Sequence, residues 1–213
     1  MRAPDTGGRG LFVSFEGIDG SGKSTQARLL FEHLTALGHD AILTREPGGS
    51  AGAEQIRALV LSGDVDRWSP ETELLLFTAA RRDHLERTIR PALAAGRIVI
   101  CDRFADSTRM YQGLRGPGLR RCVEALHDLM IAQEPDLTLL IDMEAGTGLS
   151  RAIERGGGED RFEAFGGDLQ AAMRQGFLAL AKEFAPRFRV IDGARDIDAV
   201  AQDVRAAVAE RLA

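Results

Sequence analysis

Lysine is almost missing from this chain. Of 27 basic residues, only Lys23 and Lys182 are lysine. A GTPase switch reads guanine with an Asn-Lys-x-Asp motif, and neither lysine stands in one, so that class is excluded. Cysteine is scarce too: Cys101 and Cys122 are the two present. Neither they nor the four histidines show metal-ligand spacing, and no disulfide framework can be built from them. Cys101 falls in a strand-like run, so reduced, inert thiols in a cytoplasmic protein are expected. No apolar run approaches the roughly 20 residues of a membrane span. Residues 1–9 are polar and glycine-rich, which reads as a flexible tail rather than a signal peptide. Excess positive charge is also lacking. The formal net charge is −5, which argues against nucleic acid as a partner. Any site for phosphate must therefore gather its cations locally.

What is present is an alternation. Apolar runs at 11–15, 41–44, 98–101, 137–141 and 189–191 are separated by helical patterns. Runs rich in Val, Ile and Leu without polar alternation predict a parallel sheet covered on both faces. Ser69-Pro70 reads as an N-cap and first helical position. A helix is expected over 118–132, stopping before Pro135. A stripe running from Phe162 through Met173, Phe177 and Leu180 to Phe184 predicts a long helix. Ile197, Val200, Val204 and Val208 predict the last one. Gly156-Gly157-Gly158 reads as a hinge between helices. The pattern predicts a single three-layer α/β/α domain over residues 10–213, with ligands at the carboxyl ends of five parallel strands.

The first strand runs into Gly17-Ile18-Asp19-Gly20-Ser21-Gly22-Lys23-Ser24, then Thr25. This is G-x-x-x-x-G-K-S between a strand and a helix, the context that makes the pattern a phosphate cradle. Glycines let backbone N–H groups turn inward around an anion. Lys23 adds a charge for the outer phosphates, and Ser24 a hydroxyl for Mg²⁺.

Charged residues stand at the other strand ends as well: Arg45, Asp102-Arg103 and Asp142. An apolar strand ending in aspartate suits a Mg²⁺-holding carboxylate, and Asp102 and Asp142 both qualify on pattern; Asp102, with Arg103 next to it, is the one expected to hold the metal, directly or through water. The stretch Asp102–Gly113 is rich in side chains able to read a small ligand, with Ser107, Thr108, Tyr111 and Gln112. Phe77 and Arg81 lie four apart on one helix face, an aromatic plane beside a donor fork. Arg155 and Arg161 flank the glycine hinge, and arginines on a mobile lid could neutralise a transferring phosphoryl group.

Taken together, these segments resemble thymidylate kinases of the bacterial type. The resemblance rests on FEGIDGSGKST at Phe15–Thr25, TREPGG at Thr44–Gly49, LLLFTAAR at Leu74–Arg81, DRFADSTRMYQG at Asp102–Gly113 and RGGGEDRFE at Arg155–Glu163. It implies a P-loop NTPase fold with a helical lid at about 151–163, and transfer of a phosphoryl group from ATP to dTMP with Mg²⁺. It implies that Gly17, Ile18, Asp19, Gly20, Ser21, Gly22, Lys23, Ser24 and Thr25 meet ATP. It places Asp19 near the deoxyribose 3′-hydroxyl and the metal, and Arg45 and Arg103 at the acceptor phosphate. Phe77 would stack on thymine, and Arg81 would donate to a thymine carbonyl. Ser107, Thr108 and Gln112 fall in the base-contacting segment, while Tyr111 crowds the 2′ position. The loop lacks the arginine of the family's first type, so Arg155 and Arg161 would act from the lid instead. Arg195, in the loop after the fifth strand, is the expected adenine neighbour. A homodimer is implied as well. Three departures from the family are visible: Phe104 stands where tyrosine is usual, Met110 where alanine is common, and the lid segment is one residue longer.

Overall fold

The computed structural model describes residues 9–64, 66–148 and 166–212. Five parallel strands form one sheet: β1 (Phe12–Glu16), β2 (Ala41–Arg45), β3 (Ile98–Asp102), β4 (Leu137–Asp142) and β5 (Phe188–Asp192), in the order β2-β3-β1-β4-β5. All four neighbouring pairs are parallel. The central strands are buried on both faces, which is why their sequences are apolar without alternation. The edge strands β2 and β5 are only partly covered. Each strand runs one residue past its apolar stretch, so Glu16, Arg45, Asp102, Asp142 and Asp192 arrive at one rim.

Helices pack on both faces. On one side α1 (Lys23–Ala36) and α8 (Ile197–Leu212) cover Val13, Phe15, Ile100 and Ile191, through Leu30, Leu34, Val204 and Val208. On the other lie α2 (Ala51–Leu61), α3 (Pro70–His84), α4 (Arg90–Ala94), α5 (Ala105–Tyr111), α6 (Leu119–Leu126) and α7 (Gly166–Glu183). There Phe12, Val99 and Cys101 meet Leu85, Ile89 and Phe104. Leu140 and Ile18 meet Met110, Met173 and Phe177. Alternate residues of β1, Phe12 against Val13 and Phe15, serve the two cores because strand side chains alternate faces. Each such fully buried side chain contributes about 1.5–3 kcal/mol relative to exposure.

Local signals hold where capping chemistry is explicit. The Ser69 hydroxyl accepts from the Thr72 N–H at 3.2 Å, and Pro70 opens α3. Glu71 and Glu73 complement the helix dipole in its first turn. The expected helix over 118–132 is instead α6 followed by a wider π turn, His127–Ile131, ending at Ala132 with φ 46°. Ile197, expected on the apolar stripe of the last helix, is 59% exposed, because it is the first residue of α8. Arg9, assigned to the tail, pairs with Asp136 at 3.0 Å. Cys101 is buried and Cys122 exposed, both unpaired. Among the described residues, no helix is long and apolar enough to cross a membrane.

Candidate active site

The rim is organised by the turn after β1. Gly17 has φ 140°, and a Cβ there would lie 2.6 Å from the Ile141 carbonyl oxygen, so the loop can pass β4 only without a side chain. Gly22, at φ 97°, caps α1. Lys23 and Ser24 therefore open the helix, where unpaired N–H groups and the helix dipole favour an anion. The Lys23 ammonium is buried and donates to the Ile18 carbonyl at 2.6 Å, folded back on its own loop. Burial, and next the nearby Arg103 guanidinium, push its pKa down to about 8, while Asp19, Asp102 and Glu16 act in the opposite sense.

Glu16, at the end of β1, has no place among the sequence-based site residues, yet it anchors the opposite wall. It accepts from the Phe104 N–H at 2.8 Å, the Ser107 N–H at 3.2 Å and the Ser107 hydroxyl at 2.6 Å. Burial, with Asp106 adding to it, pushes its pKa up to about 7. The chain reaches this point through Arg103 at φ 71°, a left-handed conformation rare for any residue but glycine. The Arg103 side chain then pairs with Asp19, donates to Ser107 Oγ at 3.3 Å and lies 5.0 Å over the Tyr111 ring. Tyr111 donates to Asp19 at 2.8 Å.

Behind this cluster opens a pocket. Phe77, Arg81, Arg103, Ser107, Thr108, Tyr111 and Gln112 all line it, joined by Glu46, Pro47, Leu61 and Phe104. α3 and α5 thus present their predicted ligand-reading faces to the same space. Arg81 is 5% exposed and donates to Glu46 at 2.6 Å, to Thr108 Oγ1 at 3.0 Å and to the Phe104 carbonyl at 3.1 Å. Its Nη1 has no partner among the described residues. Burial would raise the Glu46 carboxyl, but Arg81 and His84 outweigh it and hold the pKa below the ordinary value. Gln112 donates to Glu73 at 2.8 Å. Phe104 stacks edge-on with Phe12 at 4.9 Å. Met110 fills a space that only a glycine opposite allows: a Cβ on Gly176 would lie 2.4 Å from its sulfur.

Arg45 is placed elsewhere. It is mostly exposed, pairs with Glu54 at 3.3 Å, and lines a separate groove with Ser24 and Asp102. The two strand-end aspartates part company. Asp142 accepts two bonds from Arg174, at 2.8 and 2.9 Å, whereas one buried carboxylate oxygen of Asp102 has no protein partner. Asp19, expected near the 3′-hydroxyl and the metal, has its oxygens bonded by Arg103, Tyr111 and Gln170. Gln170 and Arg174 were invisible in the apolar stripe of α7, although each follows a stripe residue, Leu169 and Met173, by one. Arg195 pairs with Asp203 and borders a recess with Gly20, Ser21, Gly22, Thr25, Gln26 and Ile197, directly beside the phosphate loop. Arg155, Arg161 and the glycine hinge lie outside the described residues.

A phosphate cradle and a base-sized pocket that meet across one carboxylate–guanidinium pair are the layout of a phosphate-loop nucleotide kinase. The comparisons with known proteins narrow the class. The family model described as thymidylate kinase matches residues 15–204. The chain is 71% identical over 205 residues to a thymidylate kinase of Ruegeria pomeroyi, covering 96% of this chain and 97% of that one. It is 51% identical over 205 residues to a thymidylate kinase of Caulobacter vibrioides, covering 96% and 98%. Among solved structures it is similar to the thymidylate kinase of Ehrlichia chaffeensis, with TM-score 0.74, 36% identity, and 94% and 99% of the two chains covered. The chain belongs to the thymidylate kinase family.

Proposed function

We propose that this chain transfers the γ-phosphoryl group of ATP to dTMP, giving ADP and dTDP. The observation that supports it most is the single pocket that gathers Phe77, Arg81, Tyr111 and Gln112 and ends at the Arg103–Asp19 pair beside the phosphate loop. An oxygen of the dTMP phosphate attacks the γ-phosphorus in line as the bond to the ADP oxygen breaks. No general base is needed, since the acceptor phosphate is already ionised near neutral pH.

The chain's own groups supply alignment and charge cancellation. The loop amides and Lys23 hold the ATP phosphates. To do so Lys23 exchanges its bond to the Ile18 carbonyl for a phosphate oxygen, which restores its full charge. Arg103 exchanges part of its bonding to Asp19 and Ser107 for the acceptor phosphate. Phe77 stacks on the thymine, the free Nη1 of Arg81 donates to the carbonyl at C4, and Tyr111 closes the 2′ side of the sugar. Asp19, freed in part from Arg103, faces the 3′-hydroxyl. Arg45 flanks the acceptor site from its groove. Ile197 and Arg195 border the recess assigned to adenine. Arg155 and Arg161 would close over the transferring group.

The orphaned oxygen of Asp102 and the nearby Ser24 are a donor set that suits Mg²⁺. Bound there, the ion would neutralise phosphate charge. The protein acts in the cytoplasm on this reading, in keeping with its two free thiols. A homodimer would cover exposed Leu75 on α3 and exposed Leu129 and Met130 on the π turn after α6. Arg82, on the same face of α3 as Leu75, bonds the Met130 carbonyl and joins these surfaces.

The test is ADP formation with ATP and Mg²⁺ against dTMP, dUMP, dCMP, AMP and thymidine. dTMP should give the highest kcat/KM. Turnover that ignores the acceptor, or prefers a purine nucleotide, would defeat the assignment.

A further inference from the structure

Behind Arg81 runs a chain of buried polar groups that no reacting atom would touch. His84, one turn along α3 from Arg81, has no exposed surface. Its Nδ1 faces Glu46 Oε1 at 3.0 Å, and its Nε2 faces Thr44 Oγ1 at 2.7 Å. Glu46 Oε2 accepts from Arg81 Nε at 2.6 Å. A carboxylate only accepts, so Nδ1 donates to Glu46, while Nε2 and the Thr44 hydroxyl share the next hydrogen bond. Thr44, His84, Glu46 and Arg81 thereby form one continuous chain of hydrogen bonds. Gly49 lies over the far end: a Cβ there would sit 2.3 Å from His84 Nε2 and 2.4 Å from Thr44 Oγ1. Glu46, His84 and Cys101 place their donor atoms within 4.8 Å of one another. Both Glu46 oxygens are already taken, however, and the Cys101 thiol donates to the Arg103 carbonyl at 3.0 Å. The cluster is a hydrogen-bonded relay, not a metal cage.

We infer that Thr44 and His84 are positioning residues for base selection, fixing Arg81 through Glu46 in the orientation that leaves Nη1 pointing to the base. The inference rests on the reading above that Arg81 meets the base. The guanidinium makes three bonds to its neighbours, through Nε and Nη2, and the one from Nε depends on where Glu46 is held. A carboxylate clamped from behind by a second donor removes the remaining freedom, because turning Arg81 would cost Glu46 its bond to His84 or strip Arg81 of its own.

The experiment measures kcat and KM for dTMP and for dCMP, which presents an amino group where dTMP presents a carbonyl. The enzymes compared are wild type, Thr44→Val, Thr44→Ser, His84→Gln and Arg81→Lys. Loss of one neutral hydrogen bond in the relay predicts KM for dTMP about fivefold higher in Thr44→Val, with kcat at saturation nearly unchanged. The dTMP:dCMP ratio of kcat/KM should fall by a similar factor, His84→Gln should fall further, and Thr44→Ser should restore wild-type values. If Thr44→Val and His84→Gln lower only the melting temperature while Arg81→Lys erodes discrimination, the relay is structural and the inference is overturned. If Arg81→Lys also leaves the ratio at the wild-type value, Arg81 does not read the base, and both this inference and that assignment fall.

Discussion

Asp102 and Asp142 end β3 and β4, the two apolar strands that flank β1, and on strand pattern alone both qualify as metal carboxylates. Their surroundings differ. Asp142 is closed by two bonds from Arg174 on α7, whereas Asp102 keeps a buried oxygen that no protein group satisfies. A buried, unpaired carboxylate oxygen is costly and persists where something outside the chain completes it. The Asp102 side of the rim keeps a polar atom open, and the Asp142 side holds α7 through Arg174.

The sharpest way to break this comparison is to remove the receiving cation. Lys23→Ala should lower kcat by about 10³ with dTMP while the far-UV spectrum is kept; turnover within tenfold of wild type would end the contrast. Asp102→Asn comes next, with an expected loss of about 10² in kcat and a Mg²⁺ titration displaced to higher concentration. Tyr111→Ala should narrow the preference for dTMP over its ribose counterpart by about tenfold, read as the ratio of the two kcat/KM values. Asp142→Asn should leave kcat nearly alone and cost about 1 kcal/mol of stability, since the ion pair it breaks is only partly buried. That loss corresponds to a melting shift of roughly 2–4 °C for a chain of this size. Equal kinetic damage from Asp102→Asn and Asp142→Asn would erase the distinction.

Stability also depends on pH through Glu16. The Glu16 pKa is raised from 4.5 to about 7 in the fold, so the folded state holds a proton that the unfolded chain has released across that window. Stability from this group is complete at the acid end and is lost as pH rises through about 7. Glu16→Gln should flatten that decline, measured by denaturant midpoints at the two ends of the window.

How much of this was legible depends on whether a residue's role is local. The phosphate loop, the Ser69 cap and the five strands carry their reasons in a few adjacent residues, and each lies within a residue or two of its expected place. Phe77 and Arg81 were found because helical spacing puts them on one face, and Tyr111 and Gln112 because the stretch after Asp102 is rich in side chains able to read a ligand. Asp102 was preferred to Asp142 because Arg103 follows it, but the partner that closes Asp142, Arg174, is 32 positions away and was not legible. Glu16 gave no sign of its grip on Ser107, because parallel pairing brings β3 and α5 beside β1 only in three dimensions. Gln170 was hidden for the same reason. Arg45 looked like a pocket residue by its place at a strand end, but its side chain turns outward to Glu54.

Arg103 combines two demands that seldom fall on one residue. Its backbone, at φ 71°, is one that glycine or asparagine would adopt with less strain, yet its side chain is the cation that joins Asp19 to the Tyr111 ring. Random substitution at this position should therefore show an inverted profile. The replacements most comfortable for the chain are the least useful to the enzyme, and a variant library ranked by thermal tolerance would put glycine high and ranked by turnover would put it low.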